Sequence, residues 1–271
     1  MDYKKAIEDR RSRRSYLEKP INDIAVERLQ NLIEQANEES GLHLQLCINN
    51  NDALSGVKMS YGMFKNVRNY IALVGKKSDL DLAEKIGYYG ERIVLEAKLL
   101  KLDTCWVGGS YKEKSCQCDI GADETLRGII TIGHAPEALS FKEKAICSIM
   151  HRKTKKTEEM LKSDIEIPEW ILDGMKAVQR APSAVNQQPV QFIYKNGKFN
   201  AFVILKLGCE MIDLGIAKLH FEIGADNIGK WKWGNSGEFV INKTENNSNK
   251  ELSDETNAIQ VCVHDSNLAT V

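Results

Sequence analysis

Ala181-Pro182-Ser183-Ala184-Val185-Asn186-Gln187-Gln188-Pro189 joins a helical pattern to a strand pattern. Upstream, residues 168–181 read as a helix opening at Pro168. Pro182 ends it, because the ring fixes φ and removes the N–H that the next turn needs. Downstream, residues 191–194 and 199–205 read as strands, and Lys195-Asn196-Gly197-Lys198 between them carries an Asn-Gly hairpin signature. Ser183 and Asn186 therefore offer polar groups on a loop that two prolines stiffen. Taken alone, the stretch is equally an ordinary helix–strand connection.

Outward from this loop, residues 211–225 read as a helix, followed by Trp231-Lys232-Trp233 and a strand at 239–241. The first 150 residues give the same order. A short helix over 3–10 is capped by Asp2, and a second opens after Pro20 with Asn22 or Asp23 as its cap. Ile24, Leu29, Leu32, Ile33 and Ala36 form the apolar face of that second helix. Strands at 42–48 and 70–75 precede a helix over 79–102. Leu82, Ile86, Tyr89, Ile93, Ala97 and Leu100 recur along it at helical spacing. Cys105-Trp106-Val107-Gly108-Gly109 and a strand at 129–133 follow. Gly90 pairs with Gly215, and Trp106 with Trp231, at one common offset, which points to two diverged copies of a single unit. The copies are expected over residues 1–150 and 151–243, with a polar, loosely ordered tail over 244–271.

The chain has 271 residues, a formal net charge of -1, and 42% hydrophobic residues, enough for a sizeable core. Balanced charge leaves no excess of cations to neutralise a nucleic-acid backbone. The N-terminal stretch is too charged for a signal peptide, and no apolar run reaches bilayer-spanning length. The expectation is a cytoplasmic protein with no membrane and no nucleic-acid partner. Seven scattered cysteines read as free thiols in a reducing compartment. Cys116-Gln117-Cys118 lacks the second Cys or His cluster that a zinc site needs, so no metal is expected. Ser183 has no G-x-S-x-G setting, and the five histidines form no evident triad. His220 reads as a core or interface residue. No G-x-G-x-x-G follows a strand, so a Rossmann nucleotide site is not expected.

Two further segments carry candidate chemistry. Arg10-Arg11-Ser12-Arg13-Arg14-Ser15 can make bidentate, charge-assisted bonds to a phosphate, or can be a solvated basic face. Gly108-Gly109 lets backbone N–H groups approach a flat ligand, or serves a tight turn.

Together these segments resemble the FMN-dependent nitroreductase family, in its branch with fused halves. Arg10, Arg11, Ser12, Arg14 and Tyr16 match its R-R-S-x-R-x-F/Y segment, and Ala181, Pro182, Ser183, Asn186, Gln188 and Pro189 match its A-P-S-x-x-N-x-Q-P segment. Gly90 to Gly109 looks like its central helix and flavin loop, and Arg152-Lys153-Thr154-Lys155 is similar to its late basic segment. The first half keeps the arginine segment but has Ala36-Asn37-Glu38-Glu39-Ser40-Gly41 in place of the Pro-Ser loop. The second keeps the loop and lacks the arginines. The resemblance implies an α+β nitroreductase-like fold, with mixed or antiparallel sheets, flanking helices, and two repeats forming an intramolecular pseudo-dimer. It implies one FMN site, a monomer, NAD(P)H as a transient reductant, and an organic acceptor such as a nitroaromatic or quinone. Arg10, Arg11, Ser12 and Arg14, helped by Arg152 or Lys155, would hold the phosphate and ribityl chain. Pro182, Ser183, Ala184 and Asn186 would reach the flavin ring, Gly108 and Gly109 would lie near its hydride-bearing edge, and Lys65 would stabilise its reduced form. No side chain acts as nucleophile. The segments 47–65 and 111–125 are candidate lids. A flavin-binding or storage protein without turnover and a flavin-free relic acting through protein contacts are the competing readings.

Overall fold

Asn22 starts the first long helix by accepting the Ala25 N–H at 2.8 Å, and Gly41, at φ 73°, ends it. Between these caps Ala25, Leu29, Ile33 and Ala36 form one buried face. This helix belongs to a computed structural model that describes residues 2–50, 52–54, 64–149 and 154–242. Arg152, the 244–271 tail and much of the 47–65 segment lie outside the described residues.

The first half contains α1 (Tyr3–Asp9), α2 (Asp23–Ser40), β1 (His43–Cys47), β2 (Tyr70–Lys76), α3 (Leu82–Leu99), β3 (Asp103–Val107) and β4 (Glu124–Gly133). Its sheet is antiparallel, in the order β1-β2-β4-β3. Next come α4 (Phe141–Ile149), α5 (Thr157–Met160), β5 (Leu161–Ser163), α6 (Glu169–Val178), β6 (Gln191–Lys195) and β7 (Lys198–Phe202). The chain continues through α7 (Glu210–Gly224), β8 (Gly229–Trp231) and β9 (Glu238–Ile241). The second sheet runs β5-β6-β7-β9-β8, with β5 parallel to β6. Apart from β5, its strands repeat the order of the first sheet. Asn196 and Gly197, at φ 52° and 72°, make the expected hairpin turn between β6 and β7.

α3 and α7 are buried on nearly every side and cross at close range. A Cβ on Gly87 would lie 2.0 Å from the Ile212 carbonyl oxygen, and one on Gly215 would lie 1.9 Å from that of Glu84. Each helix thus presses a glycine against the carbonyl three residues before the other's glycine, the reciprocity of an isologous contact. Gly215 thus packs on the α3 backbone at Glu84 and Tyr88. Gly90 instead makes room for the Trp106 ring, 2.5 Å from where its Cβ would be.

Charge is buried along the same crossing. Lys218 of α7 bonds Glu84 of α3, both side chains fully enclosed, and also donates to the Lys232 and Gly234 carbonyls at 3.0 and 3.1 Å. The Gly234 N–H closes the group on Glu84 at 2.7 Å. Burial lowers the Lys218 ammonium pKa, and Glu84 pulls it back up.

Five elements were not expected from the sequence: α4, α5, β5, β3 and β8. Residues 103–107, read as the approach to a loop, form β3 because Trp106 and Val107 register against Ile130 and Ile129 of β4. Among the described residues no helix is long and apolar enough to cross a membrane. Residues 1–240 form one unit; of the second, 241–271, the structure describes Ile241 and Asn242.

Candidate functional site

α1 ends at Arg10, whose backbone is extended at φ -66°, ψ 131°. The chain then runs beside β3, with Ser12 bridging Thr104 and Ser15 bridging Lys65. Arg13 N donates to the Thr104 carbonyl at 2.9 Å, and Lys65 N to the Arg14 carbonyl at 2.9 Å. Successive side chains of an extended run face opposite ways. That alternation sorts the arginine cluster.

On one face Arg13 is buried and donates Nε to Glu143 at 3.1 Å. Glu143 also accepts the N–H groups of Arg14 and Ser140, each at 2.8 Å. Burial opposes ionisation of Glu143, but these donors outweigh it and hold the carboxyl at about 2. Arg11 shares that side, exposed, where with Arg13, Lys98 and Asp103 it lines a cavity of about 330 Å³. Arg13 is therefore a structural tie, and Arg11 stands apart from its neighbours in the motif.

Arg10, Ser12 and Arg14 gather instead around the buried Cys105 of β3. Burial raises that thiol's pKa, while Arg14, Arg10 and a hydrogen bond with Ser12 work against the rise. Arg10 Nε is buried without a hydrogen-bond partner, 3.7 Å from Glu91 Oε1. Glu91, on α3, accepts Trp106 Nε1 at 2.8 Å and meets His220 Nε2 of α7 at 3.0 Å. His220 Nδ1 lies 3.1 Å from the Ala177 carbonyl, which can only accept, so Nδ1 carries a proton. One hydrogen-bonded chain therefore joins Trp106 of β3 to α3, α7 and α6, with Arg10 beside it as an ion pair to Glu91. The Arg14 guanidinium forms no ion pair among the described residues. Lys65 is exposed beside Ser15.

The Pro-Ser loop is held by its own polar groups and two neighbours. Ser183 Oγ accepts the Gln188 N–H at 2.9 Å, and Asn186 N donates to the Ser183 carbonyl at 3.0 Å. The Ala184 N–H donates to Asp213 at 3.0 Å. Lys155 N donates to Gln188 Oε1 at 2.9 Å and Lys155 Nζ to the Gln188 carbonyl at 2.8 Å. Gln179, at the end of α6, donates to the Lys155 carbonyl at 2.9 Å and so ties the loop to the helix that carries Ala177. Val185, Asn186 and Gln188 have φ of 43°, 54° and 49°. The left-handed region is costly for a β-branched residue such as Val185, and such strain concentrates at functional sites. Asp213 is buried behind the loop; that burial, opposed by the Ala184 N–H and reinforced by Glu210, raises its carboxyl to about 7. The hollow enclosed by Pro182, Ser183 and Asp213 measures about 10 Å³, too small to hold a ring.

Gly108 and Gly109 follow β3 and are exposed, and a Cβ on either would meet nothing within 4 Å. The space above them is open to a flat ligand. A buried Arg10 N–H without a hydrogen-bond acceptor, an Arg14 guanidinium with no ion pair among the described residues, and this open backbone fit a phosphate-bearing planar cofactor. The sequence reading missed Glu143, Glu91 and Asp213; His220, read as a core or interface residue, is buried between Glu91 and the Ala177 carbonyl.

A family model described as "Putative TM nitroreductase" matches residues 2–225. Among solved structures, the chain is similar in fold to a protein of Thermotoga maritima MSB8 described as a putative nitroreductase. The identity is 23% and the TM-score 0.60, over 89% of this chain and 93% of that one. A putative nitroreductase from Desulfovibrio desulfuricans, solved in complex with FMN, is 19% identical with a TM-score of 0.44, over 62% of this chain and 98% of that one. No curated protein matches.

Proposed function

Because the chain belongs to the nitroreductase family described as "Putative TM nitroreductase", we propose that it is an FMN-dependent oxidoreductase passing hydride from NAD(P)H to a small organic acceptor such as a nitroaromatic or quinone. The observation that carries this reading is the convergence of Arg10, Ser12 and Arg14 on one face beside β3, with a buried Arg10 N–H that has no hydrogen-bond acceptor. Bound FMN would supply the two-electron carrier that no side chain here offers.

The chain's own groups would bind and orient it. Arg10, Ser12 and Arg14 would hold the phosphate and ribityl chain, with Arg152 or Lys155 adding charge. Lys155 keeps N–H groups beyond the one given to Gln188. Pro182, Ser183, Ala184 and Asn186 would hold the ring from the second half, in a loop conformation fixed in advance by Asp213 and Gln188. Ala184 has its N–H engaged by Asp213, which leaves its carbonyl and methyl for the ligand. Gly108 and Gly109 would keep the ring's edge open to donor and acceptor. Lys65 would place a positive charge near the reduced ring.

The same proposal treats residues 1–150 and 151–243 as diverged halves of a pseudo-dimer, sharing one composite site in a monomeric chain. The repeated strand order and the reciprocal Gly87 and Gly215 contacts support it.

The test begins with the absorbance of the purified chain and the identity of any chromophore released by heat. About one FMN per chain is expected, falling at least tenfold in occupancy in Arg14→Ala. Two flavins per chain would overturn the single site, and a colourless chain that refuses added FMN would overturn the flavin reading. Bound FMN without NAD(P)H oxidation in the presence of a nitroarene or quinone would favour a flavin-storage protein.

A further inference from the structure

We propose that the cavity between α3, α7 and β8 is a second ligand site. It would take a neutral, planar aromatic molecule that carries a carbonyl or nitro oxygen. The cavity measures about 620 Å³, within the range of small-molecule sites. Its walls include Tyr88 and Tyr89 of α3, and Trp231 and Trp233 at the end of β8.

Trp233 is the wall with a free surface. Its ring stacks on Tyr89 at 6.1 Å and 29°, and meets Tyr88 edge-on at 5.4 Å and 80°. The residue nonetheless stays 38% exposed. An indole held in place on one side and open on the other is a stacking platform. Trp233 follows Trp231 by the spacing at which Gly108 follows Trp106. Where the first sheet ends in bare backbone, the second ends in an aromatic face.

The polar groups define the rest of the ligand. Lys230 Nζ donates to Glu222 at 2.7 Å and to the Tyr88 hydroxyl at 3.3 Å. An ammonium has three N–H groups, so one remains, on a side chain that is 63% exposed and lines the cavity. It calls for an acceptor oxygen on the ligand. Arg92 is paired with Glu39 at 2.9 Å, and Lys230 with Glu222, so the formal charges at the cavity cancel. A charged ligand would have to break a pair or go unanswered, which favours a neutral one.

Equilibrium dialysis of the as-purified chain against 4-nitrobenzamide tests this, with flavin content measured on the same samples. Saturable binding of about one molecule per chain, in addition to any held as acceptor at the flavin, is expected, weakened at least tenfold in Trp233→Leu and several-fold in Lys230→Met. 4-Nitrobenzoate, its charged analogue, should bind at least tenfold more weakly. Both variants should keep the flavin content of the parent, and Arg14→Ala should bind the probe unchanged. Binding that is unsaturable, indifferent to Trp233→Leu, or lost in Arg14→Ala overturns the proposal. Loss of flavin in Trp233→Leu overturns it as well, because the two sites would then be one. A colourless chain that still binds the probe leaves this site standing and removes only the flavin reading.

Discussion

Glu143 shows how much one carboxylate can organise. It receives Arg13 Nε and the backbone N–H groups of Arg14, Ser15 and Ser140, and so fixes the extended run from which Arg10, Ser12 and Arg14 project. Its folded pKa of about 2 lies below the usual 4.5. A depressed acid contributes fully above its unfolded value and loses that contribution as pH falls toward the folded one. Stability should therefore decline between about pH 4.5 and pH 2, and Glu143→Gln should flatten that decline while costing on the order of 2–3 kcal/mol at neutral pH. Urea titrations at several pH values would measure both effects. The thiols give a second expectation at this scale. Burial and the neighbouring Cys47 raise Cys116 to about 11 and Cys118 to about 12, so both should alkylate more slowly than a free thiol at pH 8. Iodoacetamide labelling followed by peptide mass mapping reads the rates, and labelling as fast as free cysteine would contradict the assigned environment. The arginine cluster was legible as a phosphate candidate. Its division into structural Arg13, separate Arg11 and the converging trio was not, because Arg13's partner lies far along the chain, in a helix the sequence reading did not place.

That helix, α4, carried a readable signal. Ser140 and Glu143 form a capping box, with the Glu143 N–H donating to Ser140 Oγ at 3.2 Å and the Ser140 N–H donating back to Glu143 at 2.8 Å. Its weak apolar face, with Phe141 left 87% exposed, hid it from a reading based on periodicity. The long helices and the hairpin were legible because caps and apolar spacing agree there. β5 has only three residues and no alternation to read. The Pro-Ser loop was visible from its prolines, while the Asp213 that holds it comes from α7. An acid raised from 3.8 to about 7 binds its proton more tightly when folded, so the fold is favoured at low pH and loses stability as pH rises from about 4 to 7. Asp213→Asn keeps an acceptor for the Ala184 N–H and removes that penalty. The variant should be about 1–3 kcal/mol more stable at pH 8 and unchanged at pH 4, as read from thermal midpoints across pH. Equal destabilisation at both pH values would show that Asp213 acts as a carboxylate throughout.

For the whole molecule, the α3–α7 crossing governs stability. Lys218→Met would strand Glu84 in the interior and should cost about 3–5 kcal/mol, with part recovered in Lys218→Met/Glu84→Gln. Denaturant unfolding of the single and double variants gives the coupling directly. Gly215→Ala would drive a methyl into the Glu84 carbonyl and should cost about 3 kcal/mol or more. The contact that ties the chain together therefore has little room for change. It also has a consequence in time. α3 carries Glu84, whose partner Lys218 lies on α7, so the ribosome delivers the acid long before the base that answers it. More than a hundred residues separate the two helices, a delay on the order of ten seconds at ordinary translation rates. Throughout that interval the nascent first half holds a carboxylate that water must solvate, so the face of α3 that meets α7 stays unburied until α7 has been made. The α3–α7 crossing should thus form only after α7 has been made, and a stalled or truncated product ending before residue 210 should be a ready substrate for chaperones and proteases.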